Sequence, residues 1–249
     1  MKTLLCDLVT DIRMLFRVPV SAFFTVIFPS LMLIIMMTSY GNPDIGSGIR
    51  LSDKYILIAS GMGLAPLTLI TFPSWICSSV ESSYLLRLKY LHVSLARVAT
   101  SNALAHMVVA LCGTAVTLAV GVLFYDMRIP SLPALIAYLL QLVIVTASLM
   151  LFGAALAFIV RQTAVAIAVG LVLMFVVYML CGVFGDYSAM PTGLQAVGNL
   201  VPLKYLMNDG FDVWTSTRLM IPRLWVTSAG WACASAVVAV IAARRRLRR

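Results

Sequence analysis

Residues 132–184 read LPALIAYLLQLVIVTASLMLFGAALAFIVRQTAVAIAVGLVLMFVVYMLCGVF, and this stretch decides the fold. Its only charged residue is Arg161, which begins the polar triplet Arg161-Gln162-Thr163. Because a helix of about 20 apolar residues already crosses the hydrocarbon core of a membrane, the stretch is too long for one crossing. The triplet therefore predicts a turn between two spans, residues 132–160 and 164–184.

The rest of the chain has the same apolar character. Of its 249 residues 62% are hydrophobic and 11% are charged, and the mean hydropathy is +1.02, which excludes an ordinary soluble domain. Four further apolar runs are long enough to cross, and none shows the ten-residue alternation of a membrane β-barrel. The sequence thus predicts an all-α integral membrane protein with six transmembrane helices, the other four at residues 21–40, 55–79, 99–125 and 224–243.

The basic residues predict the orientation. Six spans place both termini on one side, and that side carries 12 of the 18 lysines and arginines, including the terminal RRRLRR. By the positive-inside rule this side is cytoplasmic. We therefore expect a multi-pass protein of the cytoplasmic membrane with both termini inside. The arginine tail is interpreted as a topological anchor, and no nucleic-acid partner is expected.

Two segments on the cytoplasmic side are too charged to cross. Residues 1–18 place leucines on one helical face and charged residues mostly elsewhere, which predicts a helix lying along the interface. Residues 80–98 alternate leucines with basic residues, which predicts a short amphipathic helix in the only large cytoplasmic loop. We interpret this loop as a docking surface for a cytosolic partner.

A third segment, residues 185–222, lies on the outer side in this topology. Pro191 suits the first turn of a helix that residues 193–199 continue, and Pro202 ends that helix. Residues 203–214 are a second short run. Each run is about ten residues, or about 15 Å of helix, half of a bilayer. The pattern predicts a re-entrant helical hairpin or an outer cap.

Catalytic motifs are absent from the sequence. None of the four lysines completes a GxxxxGK[ST] phosphate loop, and no HExxH or GxSxG motif occurs. The five cysteines are scattered singly, without a spacing that holds a metal. We predict that this chain is not an enzyme and binds no metal or cofactor itself. Three polar residues inside spans are candidates for lining a pathway or for helix-to-helix hydrogen bonds: Asn102, His106 and Gln141.

This order of parts resembles the membrane subunits of ATP-binding-cassette exporters of the second type, the ABC-2 permeases, over essentially the whole chain. The most specific likeness, to the drug-exporter pattern, is in the hairpin: Pro191, Leu194, Gln195, Asn199, Pro202, Leu203, Tyr205, Asp209 and Gly210. A looser likeness lies in the cytoplasmic loop, where the matching residues include Glu81, Leu85, Leu86, Arg87 and His92, whereas Ser82, Ser83 and Tyr84 depart from the family pattern.

The resemblance implies a function. It implies a single ABC-2 transmembrane domain, residues 1–249, that exports a hydrophobic or amphipathic compound: a drug, an antimicrobial peptide or a lipid-like molecule. It also implies a bacterial origin, two copies of a separate cytosolic ATPase that binds ATP and Mg, and a second permease subunit in a homodimer or heterodimer. The residues expected to couple to the ATPase are Glu81, Leu85, Arg87, Lys89 and His92.

Three alternatives remain open from the sequence. The first is that the chain belongs to the same family but exports a polysaccharide or glycolipid. The second is that it lies outside the family and is a non-transporting immunity or assembly protein of the membrane. An ion-coupled carrier is disfavoured, because such carriers need buried acids and the spans hold almost none.

Overall fold

The computed structural model describes residues 2–17, 23–46, 49–185 and 187–247. These residues are mostly helical, and six helices are long and apolar enough to cross a membrane, which confirms the predicted fold class. The six are α2 (Phe23–Tyr40), α3 (Leu51–Glu81), α5 (Leu95–Tyr125), α6 (Leu132–Val160), α7 (Thr163–Leu180) and α10, whose span is Pro222–Ala242 within the helix Pro222–Leu247.

Shorter elements lie outside the six. They are α1 (Lys2–Arg17), α4 (Tyr84–Tyr90), a 3₁₀ turn (Tyr187–Ala189), α8 (Thr192–Gly198) and α9, residues 202–214, which contains a π-helical turn at Tyr205–Asp209. An antiparallel strand pair, Asp44–Gly46 with Ile49–Arg50, joins α2 to α3 and was not predicted.

The helix bundle has two ends. We call the end that holds α1 and residues 82–94 the proximal end, and the end that holds the strand pair and residues 126–131, 181–185 and 187–221 the distal end. Ion pairs and hydrogen bonds join segments within each end, such as Arg50 to Asp126 at the distal end, 3.4 Å, and Arg97 to Asp7 at the proximal end, 3.0 Å.

Several helix ends differ from the predicted boundaries, for local reasons. The helix α3 begins at Leu51 rather than residue 55, because the Asp53 carboxylate accepts a bond from the Arg50 backbone N–H, 2.9 Å. The helix α5 begins at Leu95 rather than residue 99, capped by Ser94. The helix α7 ends at Leu180, and Gly182 follows with φ +75°. Caps within charged or polar stretches shift the ends that hydropathy alone predicts.

The centre of the bundle is α3. In its most apolar window 83% of the residues are buried, against 17% to 44% in the other five candidate spans. Ile56, Leu57, Leu64 and Leu67 are each at most 1% exposed. A helix enclosed in this way contacts protein rather than lipid along most of its length.

Prolines interrupt two of the spans, as the sequence indicates. Pro29, Pro66 and Pro73 lack the N–H that would bond the carbonyl four residues earlier, at Thr25, Met62 and Leu69. Next to them the helices widen into π-helical turns, Phe23–Ile27 in α2 and Leu67–Thr71 in α3. These turns are the irregular points of α2 and α3.

Neighbouring helices cover the three carbonyls that the prolines leave without their usual donor. The Tyr178 hydroxyl of α7 donates to the Met62 carbonyl. The other two carbonyls meet glycines: a Cβ on Gly113 or Gly170 would overlap the carbonyl oxygen of Thr25 or Leu69. Irregular backbone inside the bundle is thus covered by protein, as a membrane interior requires.

Candidate functional site

The proximal loop, residues 82–94, contains the predicted coupling segment. Ser83 and His92 adopt positive φ, 56° and 57°, so the chain turns sharply on each side of α4. Arg87 and His92 are exposed and Leu85 is half-buried, while the side chain of the predicted residue Lys89 lies outside the described part. Tyr90 and Leu91 at the tip are 82% and 71% exposed. The sequence singled out the charged residues, and the structure adds this exposed apolar pair.

Glu81, the last residue of α3, is bound within the chain. Its carboxylate accepts hydrogen bonds from the Thr163 backbone N–H, 3.1 Å, and from the Thr163 hydroxyl. Thr163 is the first residue of α7, so the carboxylate caps that helix and lies at its positive end. The end of the central helix is thereby joined to the start of α7. Sequence reasoning missed this link, because the two residues are far apart in the chain.

The N-terminal helix packs against the start of α5. Leu8 and Ile12 contact the hydrophobic core, and Leu15 is 7% exposed. The Asp11 carboxylate accepts a hydrogen bond from the Ser101 hydroxyl, 2.6 Å. Burial raises the pKa of Asp11 and the nearby Asp7 adds to the rise, while hydrogen bonds from Ser101 and Asn102 oppose it. Phe16, one residue after Leu15 in this helix, is exposed at 46%.

Two of the candidate pathway residues lie side by side in α5. Asn102 and His106 are 3% and 0% exposed. The Asn102 carbonyl lies 2.9 Å from His106 Nδ1, and the imidazole packs edge-on against Phe72, with 5.2 Å between ring centroids. The remaining polar atoms, Asn102 Oδ1 and His106 Nε2, are buried without a hydrogen-bond partner among the described residues. The His106 ring therefore packs α5 against α3.

Gln141, the third candidate, lies near the other end of the bundle. Its side-chain N–H group donates to the carbonyls of Ala137, 3.1 Å, and Leu219, 3.2 Å. It therefore ties α6 to the segment before α10. The structure brings Asn102 and His106 together and does not bring Gln141 to them.

We call residues 187–214 the distal segment. Hydrogen bonds within it hold its first half together. The Gln195 side chain donates to the carbonyls of Met190, 2.8 Å, and Ser188, 3.3 Å. The Tyr187 hydroxyl donates to the Gln195 carbonyl, 2.8 Å, and to Asn199 Oδ1, 3.2 Å. Pro191 is the N-cap residue of α8, and its carbonyl accepts a hydrogen bond from the Gln195 backbone N–H, 3.1 Å. Leu194 is half-buried. The motif residues of this half thus hold the turn before α8 and the end of α8.

The second half of the distal segment is more deeply buried. Pro202 begins α9, Leu203 is fully buried, and the Tyr205 hydroxyl donates to the Asn199 carbonyl, 2.9 Å. Lys204 is 7% exposed.

Lys204 is held by three neighbours. Its ammonium group lies 3.1 Å from an Asp209 carboxylate oxygen. It also lies 4.5 Å and 4.8 Å from the ring centroids of Tyr205 and Tyr187. Burial is the main cause that raises the pKa of both tyrosines. Tyr187 and Lys204 were not predicted, because side chains five residues apart do not share a face of an α-helix. The pair of Lys204 and Asp209 forms across the π-helical turn at Tyr205–Asp209.

The distal segment is fixed to the spans by hydrogen bonds and by close packing at glycines. Asn208 donates to the Cys181 carbonyl at the end of α7, 2.9 Å, and Trp231 of α10 donates to the Leu200 carbonyl, 2.7 Å. Met207 packs directly over Gly61 of α3, where a Cβ would overlap its side chain. Gly210 lies against Tyr138. The segment is an integral part of the helical packing at this end.

Comparison with known proteins gives a family match over most of the chain. The family model described as ABC-2 type transporter matches residues 8–209, which include α1 from its second turn, five of the six spans, and the distal segment as far as Asp209. Comparison with the curated proteins and with the solved structures found no match. The match covers well over half of the chain, and together with the six spans it shows that this protein is a multi-pass membrane component of the ABC-2 type transporter family.

Proposed function

We propose that this chain is the permease subunit of an ABC exporter that moves a hydrophobic or amphipathic compound outward across the cytoplasmic membrane. Membership of the family implies an ABC ATPase as partner, and the permease component of such a transporter is in general not the catalytic one. The observation that carries the proposal is the exposed proximal loop that is joined, through Glu81, to two spans. ATP and Mg would bind to the partner subunit.

The proximal loop is the proposed contact with the ATPase. Its tip exposes Tyr90 and Leu91 beside the charge of Arg87, a combination suited to a protein surface. A movement of α4 is transmitted to the end of α3 and, through the Glu81–Thr163 bonds, to the start of α7. Nucleotide favours one state of the permease only if the loop contacts the ATPase differently in the two states.

The orientation follows from charge. With 12 of the 18 basic residues on the side that holds the termini, the proximal end faces the cytoplasm. In this placement α1 lies along the inner interface. Residues 185–222 then form an outer re-entrant hairpin, a proposal supported by the burial of its central residues 201–207 within the bundle.

The cargo class rests on the character of the spans. They offer apolar surface with almost no fixed charge, which suits a drug, an antimicrobial peptide or a lipid-like molecule. A second permease subunit, identical or homologous, would complete the pathway, and two ATPase subunits would serve the pair.

Reconstitution with the ATPase tests the proposal. We expect affinity purification of this chain to recover an ATPase whose hydrolysis in proteoliposomes increases when the permease is present. Arg87→Glu with Lys89→Glu is expected to abolish that increase while the chain still inserts. Arg13→Glu, which reverses an exposed charge at the same end but outside residues 80–98, is the control and is expected to retain it. Stimulation unchanged by the double variant would refute the docking site, and a chain that is fully active alone would refute the proposal.

A further inference from the structure

A cavity at the distal end has no part in the proposed coupling. Its volume is about 480 Å³, within the range of small-molecule sites, and it lies between α9, residues 215–221 and the start of α10. Its lining carries three basic and two acidic side chains together with the apolar side chains of Met220 and Ile221. The charged residues are Lys204, Arg218, Arg223, Asp209 and Asp212.

The charges in this cavity are unequally neutralised. Lys204 is buried and paired with Asp209, so its charge is already compensated. Arg218 and Arg223 are exposed, and within the described residues neither has a carboxylate at ion-pair distance. Asp212 likewise makes no ion pair there. The cavity therefore offers two free guanidinium groups and one free carboxylate.

The cavity lies at the end of the apolar part of α10. The candidate span of α10 begins at Pro222, which lines the cavity, and the end of a span is where lipid headgroups are expected. Trp225 follows within one turn, and tryptophan is typical of the membrane–water boundary. Met220 is exposed beside the opening, where an acyl chain would leave the site.

We propose that this cavity binds the headgroup of a zwitterionic aminophospholipid. The guanidinium groups of Arg218 and Arg223 would donate to the phosphate oxygens, a geometry that suits arginine better than lysine. Asp212 would accept from the primary amine of the same headgroup. A lipid without an amine leaves that carboxylate facing only anionic groups, and a quaternary ammonium has no N–H to donate. This binding requires neither the ATPase nor transport, and so goes beyond the proposed function.

Competitive lipid binding to the full chain tests the proposal. The purified protein in detergent is incubated with equal amounts of phosphatidylethanolamine, phosphatidylglycerol and phosphatidylcholine, and retained lipid is measured by native mass spectrometry. We expect phosphatidylethanolamine to be retained preferentially. Arg218→Gln with Arg223→Gln should lower its retention about tenfold, because each removes hydrogen bonds to a charged group. Arg128→Gln, an exposed arginine at the same end but outside the cavity, should retain it.

A variant that gains binding of another lipid must be folded, so its result cannot be explained by misfolding. Asp212→Asn removes the free carboxylate and should shift retention from phosphatidylethanolamine toward phosphatidylglycerol. Equal retention of these two lipids by the unchanged chain, or full retention by the double arginine variant, would overturn the proposal. The proposal would also be overturned if inorganic phosphate displaced the lipid and by itself raised the unfolding temperature as much as phosphatidylethanolamine does. The ligand would then be soluble phosphate.

Discussion

At the scale of single residues, the spans are held together where helices are irregular. Prolines in α2 and α3 deprive three carbonyls of their usual partner, and each of these oxygens is covered by a residue of a neighbouring helix. Tyr178 covers one with a hydroxyl, and Gly113 and Gly170 cover the others by close approach of the backbone. Contacts of the second kind resemble the weak Cα–H···O bonds common between helices.

Adding one methyl group tests the close approach at Gly170. In Gly170→Ala the new Cβ meets the Leu69 carbonyl oxygen, part of the backbone of the central helix, so α3 and α7 must separate. We expect a destabilisation of about 1–3 kcal/mol, as for overpacked cores, measured by SDS-driven unfolding in mixed micelles.

Gly230→Ala is the matched control. Gly230 lies in α10 with open space where its Cβ would be, so the substitution should be neutral or slightly stabilising through helix propensity. Equal effects of the two substitutions would contradict the close packing of α3 on α7.

A double-mutant cycle tests the hydroxyl that covers the Met62 carbonyl. Tyr178→Phe removes the donor and should destabilise the chain by about 1 kcal/mol. In a Pro66→Ala background the backbone N–H of residue 66 becomes a donor to the same carbonyl, so losing the hydroxyl should cost less. Unfolding of all four proteins in mixed micelles gives the coupling. Strictly additive effects would show that the hydroxyl does not replace the missing N–H.

At the scale of elements, α3 is the member that connects the two ends. It begins at the distal end, where Asp53 accepts bonds from the backbone N–H groups of Arg50 and Arg128, and ends at the proximal end at Glu81. Between these points it is the most enclosed of the six candidate spans and contains a π-helical turn. A helix with these properties is suited to carry a displacement from one end to the other.

The link between α3 and α7 yields a prediction about coupling. Glu81→Gln should weaken the two bonds to Thr163, because a neutral amide is a poorer acceptor than a carboxylate at a helix N-terminus. We expect ATPase stimulation by the permease to fall several-fold, with the ATPase still bound. Stimulation in proteoliposomes and recovery of the complex measure the two effects separately.

Thr100→Ala is the control for this substitution. The exposed Thr100 hydroxyl, at the same end but outside the proximal loop, donates to the Ala96 carbonyl within α5, 2.8 Å, so its loss should leave coupling intact. Unchanged stimulation by Glu81→Gln would place the path of coupling elsewhere in the proximal loop.

At the scale of the whole molecule, hydropathy was sufficient to predict the six apolar helices. The six spans were confirmed because each is a long apolar run, and even the turn at Arg161-Gln162-Thr163 was found from one charge and a length argument. The family resemblance, carried mainly by the motif from Pro191 to Gly210, was confirmed by the match over residues 8–209.

What could not be predicted depends on pairs of residues distant in the chain. The Glu81–Thr163 bonds, the Tyr178 hydroxyl on Met62 and Trp231 on Leu200 have no periodic or local signal. The strand pair before α3 is too short to show an alternating pattern. The roles of the coupling residues and of the distal hairpin stay predictions, since they concern partners and the membrane.

ATP-dependent transport into everted membrane vesicles tests the central claim most directly. Vesicles containing this chain and its ATPase expose the cytoplasmic face, so an exporter accumulates an amphipathic fluorescent dye in the lumen. We predict accumulation that requires ATP, the ATPase and this chain together, and that is lost with Arg87→Glu and Lys89→Glu but kept with Arg13→Glu. Accumulation that is equal without ATP or without the ATPase, or outward movement of the dye on adding ATP, would contradict the account.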